Sequence, residues 1–207
     1  ILVAAWAQSN QVKFTKLLQD SFDFFAIFSI PLAVGCITLG VPIMRLVAGD
    51  EFAVSGAVLA VLGPAAAVVF FGALSGHAIV ALQKQKVMVW GYLAVAVVSI
   101  AGYFIFIPQY GIWAAAWWTL ISEVAITLLT SLVIFKTCGF RPRLDIFAKA
   151  LLSSLIMLAA IKLLPGINVM ILVVLGMLVY GISLTALGGP SWKMALRLFV
   201  PEKPPLT

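Results

Sequence analysis

Long, nearly uninterrupted apolar segments constrain this chain more than any other sequence feature. Six of them lie at about 22–47, 53–82, 87–107, 112–135, 147–164 and 169–187. At 1.5 Å per residue, such segments are long enough to cross the roughly 30 Å hydrocarbon core of a bilayer as helices. They are too long and too continuous for the alternating strands of a membrane β-barrel. The sequence therefore predicts an all-α, polytopic integral membrane protein with about six transmembrane helices.

Composition agrees with this fold class and excludes other kinds of protein. Of the 207 residues, 64% are hydrophobic and 10% are charged, and the mean hydropathy is +1.18. A soluble domain of this size cannot bury that much apolar surface. The net charge of +6 needs no nucleic-acid partner, because basic residues collect on the cytoplasmic side of membrane proteins. No cofactor or metal is predicted, since the two cysteines and the single histidine lie in no metal-ligand spacing.

The distribution of basic residues predicts the orientation. With six spans alternating in direction, one side receives only Arg45 and Lys162, together with Asp50 and Glu51. The opposite side receives the other basic residues, Lys13, Lys16, Lys84, Lys86, Lys136, Arg141, Arg143, Lys149, Lys193, Arg197 and Lys203. An excess of this kind assigns the basic side, and with it the C-terminus, to the cytoplasm.

Polar segments between the spans predict the organisation of the chain. The first is interpreted as the end of a preceding helix and a cytoplasmic loop, with Ser21 as the N-cap of the first span and Asp23 in its first turn. The apolar start at Ile1, without a methionine, predicts that the sequence is the C-terminal part of a longer helical protein. The divisions are 1–21 for that helix end and loop, 22–135 for four transmembrane helices, 136–146 for a cytoplasmic loop, 147–187 for two additional transmembrane helices and 188–207 for a cytoplasmic tail.

Proline and glycine interrupt the first two spans. Pro31 lies in the first span, and the pair Gly63 and Pro64 lies in the second. Because proline removes a backbone hydrogen bond from a helix interior, we expect these spans to be kinked or partly unwound there and to act as hinges. Gly72 and Gly76, four residues apart, predict a close helix-packing face.

The segment from Pro108 to Glu123 carries the most informative chemistry. Pro108 follows a long apolar run, and Gly111 is predicted to let the chain reverse. Glu123 lies about 18 Å into the next span, close to the middle of the hydrocarbon core. A charged carboxylate at that depth costs at least about 2.5 kcal/mol on insertion scales. Glu123 is therefore expected to face protein or water rather than lipid.

Glu123 shares one helix face with Thr119 and Thr127, at spacings of four residues. One interpretation is a polar stripe along an ion or substrate pathway, in which Glu123 binds an ion or proton or contacts the hydroxyl groups of a polar ligand. The other is a hydrogen-bonded Glu123 that locks two helices together, while the threonines bond to their own backbone carbonyls. The sequence leaves both open.

Arg45 and His77 are further candidates for the pathway. Arg45 can hold a phosphate group through bidentate contacts, although its place near a span end is explained more simply by snorkelling. His77 can titrate during transport, but an interhelical hydrogen bond beside Gly76 explains it equally well.

Three short motifs in this chain resemble those of bacterial polysaccharide flippases. The turn Ile107-Pro108-Gln109-Tyr110-Gly111-Ile112, followed by Ala115 and Ala116, resembles the turn motif of that family. The segment 81–86 resembles its helix end before the next span, and Ile30-Pro31-Leu32, ahead of the segment 49–52, resembles its helix opening. These are the O-antigen and exopolysaccharide transporters of the multidrug/oligosaccharidyl-lipid/polysaccharide superfamily. The resemblance covers most of residues 8–135.

The resemblance implies a function and a set of partners. It implies a flippase, not an enzyme, that carries undecaprenyl-pyrophosphate-linked oligosaccharide by alternating access across the bacterial inner membrane for cell-surface polysaccharide biosynthesis. The chain is then a multi-pass protein with a cytoplasmic C-terminus. The expected partners are the lipid-linked oligosaccharide, membrane lipids, the N-terminal half of the same transporter and polysaccharide assembly proteins.

Other functions stay open on the sequence. A cation-coupled multidrug exporter of the same superfamily would bind its substrates in an acidic cavity, and the scarcity of intramembrane acids besides Glu123 argues against it. A membrane-embedded polysaccharide polymerase or glycosyltransferase would need a large extramembrane loop or an acidic metal site. The connections here are short and lack an Asp-x-Asp motif. A structural membrane subunit is the remaining alternative.

Overall fold

Residue 6 and residues 11–189 are described by a computed structural model of the protein. Within 11–189 the chain forms six long helices and a short 3-10 turn, with no strand. The helices are α1 (Gln11–Ala48), α2 (Ala53–Ala81), α3 (Gln85–Tyr110), α4 (Ile112–Cys138), α5 (Asp145–Lys162) and α6 (Val169–Ala186), and the turn Asp50–Phe52 joins α1 to α2. The predicted all-α membrane fold is confirmed. The predicted tail beyond residue 189 lies outside the described residues.

Five of the six helical segments are long and apolar enough to cross a membrane, and α5 is the exception. Three charged residues, Asp145, Lys149 and Lys162, lie within its 18 residues. Two of them stand at its ends, and its interior from Ala150 to Ile161 is apolar except for two serines. The connection before α5 is shorter than the predicted 136–146 loop, because α4 continues to Cys138 and leaves only residues 139–144 outside helices.

Helix α1 begins earlier than the sequence analysis predicted. Ser21 is not an N-cap, because the helix runs through it without interruption from Gln11. The predicted loop is therefore wrong for residues 11–21. Phe14 and Leu18 are fully buried in this extension and belong to a cluster that includes Leu74 of α2 and Ile134 of α4. Burial of this apolar face stabilises the added helical turns despite their polar outer face.

The prolines do not break the helices that contain them. α1 continues through Pro31 and α2 through Pro64, so the predicted unwinding of these spans is wrong. One cause is visible at Pro31, which has no N–H to donate to the carbonyl of Ile27 four residues earlier. The hydroxyl of Tyr180 in α6 donates to that carbonyl instead, with an oxygen–oxygen distance of 2.7 Å. A neighbouring helix thus replaces the missing backbone hydrogen bond.

Glycines set the closest approaches between helices. Gly111 has φ +58°, a conformation that favours glycine, and the chain reverses there between α3 and α4 as predicted. A methyl group added at Gly40 of α1 would lie 2.6 Å from the carbonyl oxygen of Gly56 in α2. The predicted glycine face of α2 is only half correct, because Gly72 lies against Thr127 of α4 while Gly76 faces open space.

Three of the other five helices in the described part of the chain pack on α1. Helix α1 contacts α2, α5 and α6, α4 contacts α2 and α3, and α5 contacts α6. Helix α3 lies at the edge of the bundle, and among its residues only Met88 and Gly102 are buried. Gly102 lets the ring of Trp118 in α4 lie directly against the α3 backbone. The face of α4 that carries Glu123 is therefore positioned by α2 on one side and by α3 on the other.

Candidate transport site

The face of α4 that was predicted to be polar is partly covered by α2. Ala116 and Thr130 are buried on this face, and Glu123 and Thr127 are half-buried. A methyl group at Gly72 would lie 2.9 Å from the Thr127 hydroxyl oxygen, so the missing side chain of Gly72 lets α2 approach α4 here. The predicted grouping of Thr119, Glu123 and Thr127 along one face thus lies beside a close helix–helix contact.

Glu123 lies near the middle of α4 and is the twelfth of its 27 residues. Its carboxylate forms no hydrogen bond or ion pair with any residue in the described part of the chain. Within that part, Glu123 does not lock two helices together through a hydrogen bond. A half-buried acid without a partner is available to bind a proton, a cation or a substrate hydroxyl.

Thr119 connects α4 to α3 through its hydroxyl. This hydroxyl donates to the Ala115 carbonyl at 2.9 Å, and its oxygen lies 3.0 Å from the Tyr103 hydroxyl oxygen. Because the single hydroxyl hydrogen of Thr119 is used by Ala115, Tyr103 is the donor of the second bond. Thr130 likewise donates to carbonyls of its own helix, as one of the two interpretations predicted.

Thr127 lines a cavity of about 260 Å³ between α1, α2 and α4. Its buried hydroxyl has no hydrogen-bond partner among the described residues. The cavity wall is mainly apolar, with Phe22 of α1 and Phe71 of α2 on it, and Ser75 and Ser131 add two hydroxyls. Leaving a buried hydroxyl unpaired costs about 1–3 kcal/mol, so Thr127 can gain from hydrogen bonding to a water or a ligand in this cavity.

Arg45 and His77 do not join Thr119, Glu123 and Thr127. Arg45 lies three residues before the end of α1, where its Nε is 3.7 Å from Oδ1 of Asp50. Both side chains of this pair are more than half exposed, so the pair contributes less than about 1 kcal/mol to stability. His77 is exposed and lies four residues before the end of α2, at the opposite end of the bundle.

The predicted hinge residues lie close together. Gly63 is buried against the side chain of Cys36, and the Ala33 carbonyl oxygen is 3.5 Å from the position of a methyl group added at Gly63. Pro64 is therefore next to the part of α1 that directly follows Pro31. The two proline-bearing segments pack against each other, and their role as hinges stays a prediction.

A polar cluster that the sequence analysis did not single out lies where α1 and α5 begin. Asp23 is 8% exposed and accepts a hydrogen bond from Nε2 of Gln19 at 2.9 Å. The Gln19 amide also bonds the backbone of Arg143, donating to its carbonyl at 3.1 Å and accepting from its N–H at 2.8 Å. The spacing of Gln19 and Asp23, one helical turn apart, was a sequence signal for part of this cluster. Arg143 is 124 residues away, and no local pattern predicts that contact.

Comparisons with known proteins identify no relative of this chain. No protein family, no curated protein sequence and no solved structure matches the chain. Within the described residues, no group of three or more His, Cys, Asp or Glu side chains is arranged to hold a metal ion. The fold and the site define the protein as an all-helical membrane protein with a half-buried acid, Glu123, near the middle of α4.

Proposed function

We propose that this chain is part of a flippase that carries undecaprenyl-pyrophosphate-linked oligosaccharide across the bacterial inner membrane by alternating access. The hairpin of α3 and α4 carries the proposal. Its turn, residues 107–112, is the segment that resembles the turn of polysaccharide flippases, and Gly111 has the conformation that such a tight reversal needs. The helix that follows this turn holds Glu123 at about half of its length.

The chemistry of this hairpin suits an amphiphilic substrate. A lipid-linked oligosaccharide needs hydrogen-bonding groups for its sugars and apolar surface for its prenyl chain. Helix α4 offers the unpaired carboxylate of Glu123 and the hydroxyl of Thr127. The neighbouring cavity is lined mainly by apolar side chains of α1, α2 and α4. Thr127 and the apolar wall thus lie side by side in this cavity, and Glu123, one helical turn before Thr127, lies outside its wall.

The location and the partners follow from the same proposal. In this proposal the end of the bundle that carries most of the basic residues faces the cytoplasm, and the C-terminus is expected on the same side. The exposed apolar faces of α3 and α4 would be covered by lipid and by the N-terminal half of the transporter. In this arrangement Glu123 exchanges a proton or cation, or contacts sugar hydroxyls, as the cavity opens to each side in turn.

A transport assay with the full-length protein that contains this chain tests the proposal. The protein is placed in proteoliposomes with a polyprenyl-pyrophosphate oligosaccharide, and an impermeant glycan-binding reagent measures the fraction of glycan that changes sides. We expect wild-type protein to accelerate this exchange. We expect Glu123→Gln to slow it by about tenfold or more, since a lost transition-state interaction of about 1.4 kcal/mol has that effect.

A matched variant separates a transport role of Glu123 from a structural one. Glu51→Gln makes the same chemical change at an exposed position of the α1–α2 connection, so its transport rate should equal that of wild type. Normal transport by Glu123→Gln would remove Glu123 from the pathway. If Glu123→Ala lowers protein abundance while Glu123→Gln transports normally, the residue has only a structural role. Failure of wild-type protein to move the glycan would contradict the flippase function.

A further inference from the structure

A second cavity, of about 920 Å³, lies at the end of the bundle where α1 and α5 begin. Its wall combines the N-terminal extension of α1, the connection 139–144 and the first turn of α5. Four basic side chains line it: Lys16, Arg141, Arg143 and Lys149. Three carboxylates, Asp20, Asp23 and Asp145, line the same space. The cavity therefore presents both signs of charge to whatever occupies it.

The opposite charges around this cavity do not neutralise one another directly. Among the described residues, none of the three carboxylates lies within 4.0 Å of a basic nitrogen. Asp23 is nevertheless 8% exposed, and its carboxylate is compensated only by the hydrogen bond from Gln19 and by the more distant charge of Arg143, so an additional cationic partner would stabilise it. A ligand that brings its own cationic and anionic groups would satisfy both sets of side chains at once.

The first turn of α5 provides the part of such a site that binds the anionic group of the ligand. Its N-cap residue, Leu144, has no side chain that could bond the first backbone N–H groups of the helix. Ile146 of this turn lines the cavity together with Arg143 and Lys149. Arg143 and Lys149 lie beside a helix N-terminus whose N-cap side chain forms no hydrogen bond, and they outnumber the one carboxylate of this turn, Asp145. Lys149 Nζ donates to the Gly188 carbonyl at 2.8 Å and keeps two further N–H donors, so this end of the cavity favours a phosphate.

The carboxylates of α1 provide the part of the site that binds the cationic group of the ligand. Gln19 holds the Asp23 carboxylate through a hydrogen bond and is itself held by the backbone of Arg143. Asp20 lies three residues before Asp23 and lines the same cavity. Carboxylates accept hydrogen bonds, so they favour a primary ammonium, with three N–H donors, over a quaternary ammonium, which has none.

We propose that this cavity binds a phosphate that carries a primary ammonium a few bonds away, the chemistry of phosphoethanolamine, as the headgroup of an aminophospholipid. The position of the cavity favours the lipid over a soluble compound. Asp23 directly precedes the apolar stretch 24–44 of α1. Twelve more residues of this helix, many of them polar, lie on the N-terminal side of Asp23. With 38 residues, α1 is about 57 Å long and therefore longer than the hydrocarbon core. Since the cavity lies at the N-terminal part of α1, outside its apolar stretch, it lies at the level of the lipid headgroups.

Lipid binding by the full-length protein tests this proposal independently of the flippase function, because no transport is measured. Native mass spectrometry of the detergent-solubilised protein gives the affinity for phosphatidylethanolamine, phosphatidylcholine and phosphatidylglycerol of equal chain length. We expect phosphatidylethanolamine to bind about tenfold more tightly than either of the others, the equivalent of one charge-assisted hydrogen bond. Soluble O-phosphoethanolamine is added as a competitor.

Two pairs of matched variants locate the binding site. Asp23→Asn keeps the shape of the side chain and the bond from Gln19, and Lys16→Gln removes one basic charge. Their controls are Asp50→Asn and Lys162→Gln, which make the same changes at exposed positions at the opposite end of the bundle. We expect Asp23→Asn to lose the preference for phosphatidylethanolamine and Lys16→Gln to weaken the binding of all three phospholipids. Both controls should keep the wild-type affinities and preference. Asp20→Asn, at a half-buried position of the same wall, replaces Asp23→Asn if that variant does not fold.

The possible outcomes separate the proposal from its alternatives. Equal binding of phosphatidylethanolamine and phosphatidylglycerol would indicate a simple anion site and overturn the proposal. Equal binding of all three lipids, or a preference unchanged by Asp23→Asn, would overturn it as well. Competition by millimolar O-phosphoethanolamine at low lipid occupancy would support the phosphate-and-ammonium chemistry. Tighter binding of O-phosphoethanolamine than of phosphatidylethanolamine would assign the site to a soluble source and overturn the lipid assignment.

Discussion

Helices α1 and α3 have nearly the same hydropathy and opposite surroundings. Their most apolar windows have mean hydropathies of 2.2 and 2.0, yet 39% of the α1 window is buried and only 6% of the α3 window. Helix α1 packs on three neighbours, whereas α3 packs mainly on α4. Hydropathy therefore indicates that a segment can enter a membrane, but it does not indicate whether protein or lipid surrounds it.

Small and polar residues distinguish the enclosed helix from the edge helix. The buried positions of α1 include Asp23, Ser29 and Gly40, side chains that lipid would not accommodate or that allow close backbone approach. The residues of α3 that are most exposed are apolar, such as Trp90 and Phe104. The difference between the two helices can be measured through matched substitutions.

The largest difference is expected from removing a leucine side chain from each of the two helices. Leu18 of α1 is 1% exposed and Leu93 of α3 is 51% exposed. Leu18→Ala should lower the free energy of unfolding by about 2–5 kcal/mol, because it leaves a cavity in a packed cluster. Leu93→Ala should lower it by less than about 1 kcal/mol. Denaturant titration of the detergent-solubilised protein measures both values, and equal losses would contradict the proposed contrast.

A smaller effect of opposite sign is expected from two glycines within α1. Gly40→Ala places a methyl group against the backbone of Gly56 and should cost about 1–3 kcal/mol through overpacking. Gly35 has no atom within 4 Å of the added methyl group. Gly35→Ala should therefore stabilise the helix by about 0.5–1 kcal/mol, since alanine is the better helix former. Thermal unfolding midpoints that shift in the same direction would show that α1 and α2 are not in close contact at Gly40.

The hydrogen bond from Tyr180 to the Ile27 carbonyl should contribute about 1–2 kcal/mol, because its loss leaves a buried carbonyl without a partner. Tyr180→Phe removes only the hydroxyl and tests this value. Tyr92→Phe is the control, since Tyr92 is exposed on α3. Unfolding free energies that are equal for the two variants would argue against a special role of α6 in supporting Pro31.

The smallest effect is expected at the start of α1. Gln19→Ala removes the hydrogen bonds to Asp23 and to the backbone of Arg143, which lie at a partly exposed site and should be worth about 0.5–1.5 kcal/mol together. Gln85→Ala makes the same change at an exposed position of α3 and should have no measurable effect. Faster protease cleavage within residues 139–144 of the Gln19 variant is a second readout, because the α1 extension would no longer hold this connection.

The sequence predicted the parts of the fold that depend on local patterns. The predicted starts of the second, fourth and sixth spans, Ala53, Ile112 and Val169, are the first residues of α2, α4 and α6. The start of α1 was missed because the polar residues of 8–21 outweighed an apolar face. Phe14, Leu17 and Leu18 already had the spacing of a helix, followed by Phe22 one turn later.

The candidate site was predictable only along one helix. Helical periodicity places Thr119, Glu123 and Thr127 on one face of α4, but it cannot name their partners on other helices. Tyr103 reaches Thr119 from α3, and Gly72 lies against Thr127 from α2. Asp23 was interpreted as a first-turn residue because the start of α1 was predicted too late. It is the thirteenth residue of α1, and it is buried.

The bond between Tyr180 and Ile27 has a mechanical consequence. Pro31 leaves the Ile27 carbonyl of α1 without its backbone hydrogen bond, and the Tyr180 hydroxyl of α6 donates to that carbonyl instead. Any bend of α1 at Pro31 that separates these two groups must either break this bond or carry α6 along with it. Since α6 packs on α5, these two helices are connected as a pair to the region of Pro31, where α1 can bend most easily. While the hydrogen bond from Tyr180 is intact, α5 and α6 resist the bending of α1 or move with it. Once this bond is broken, α1 can bend without them.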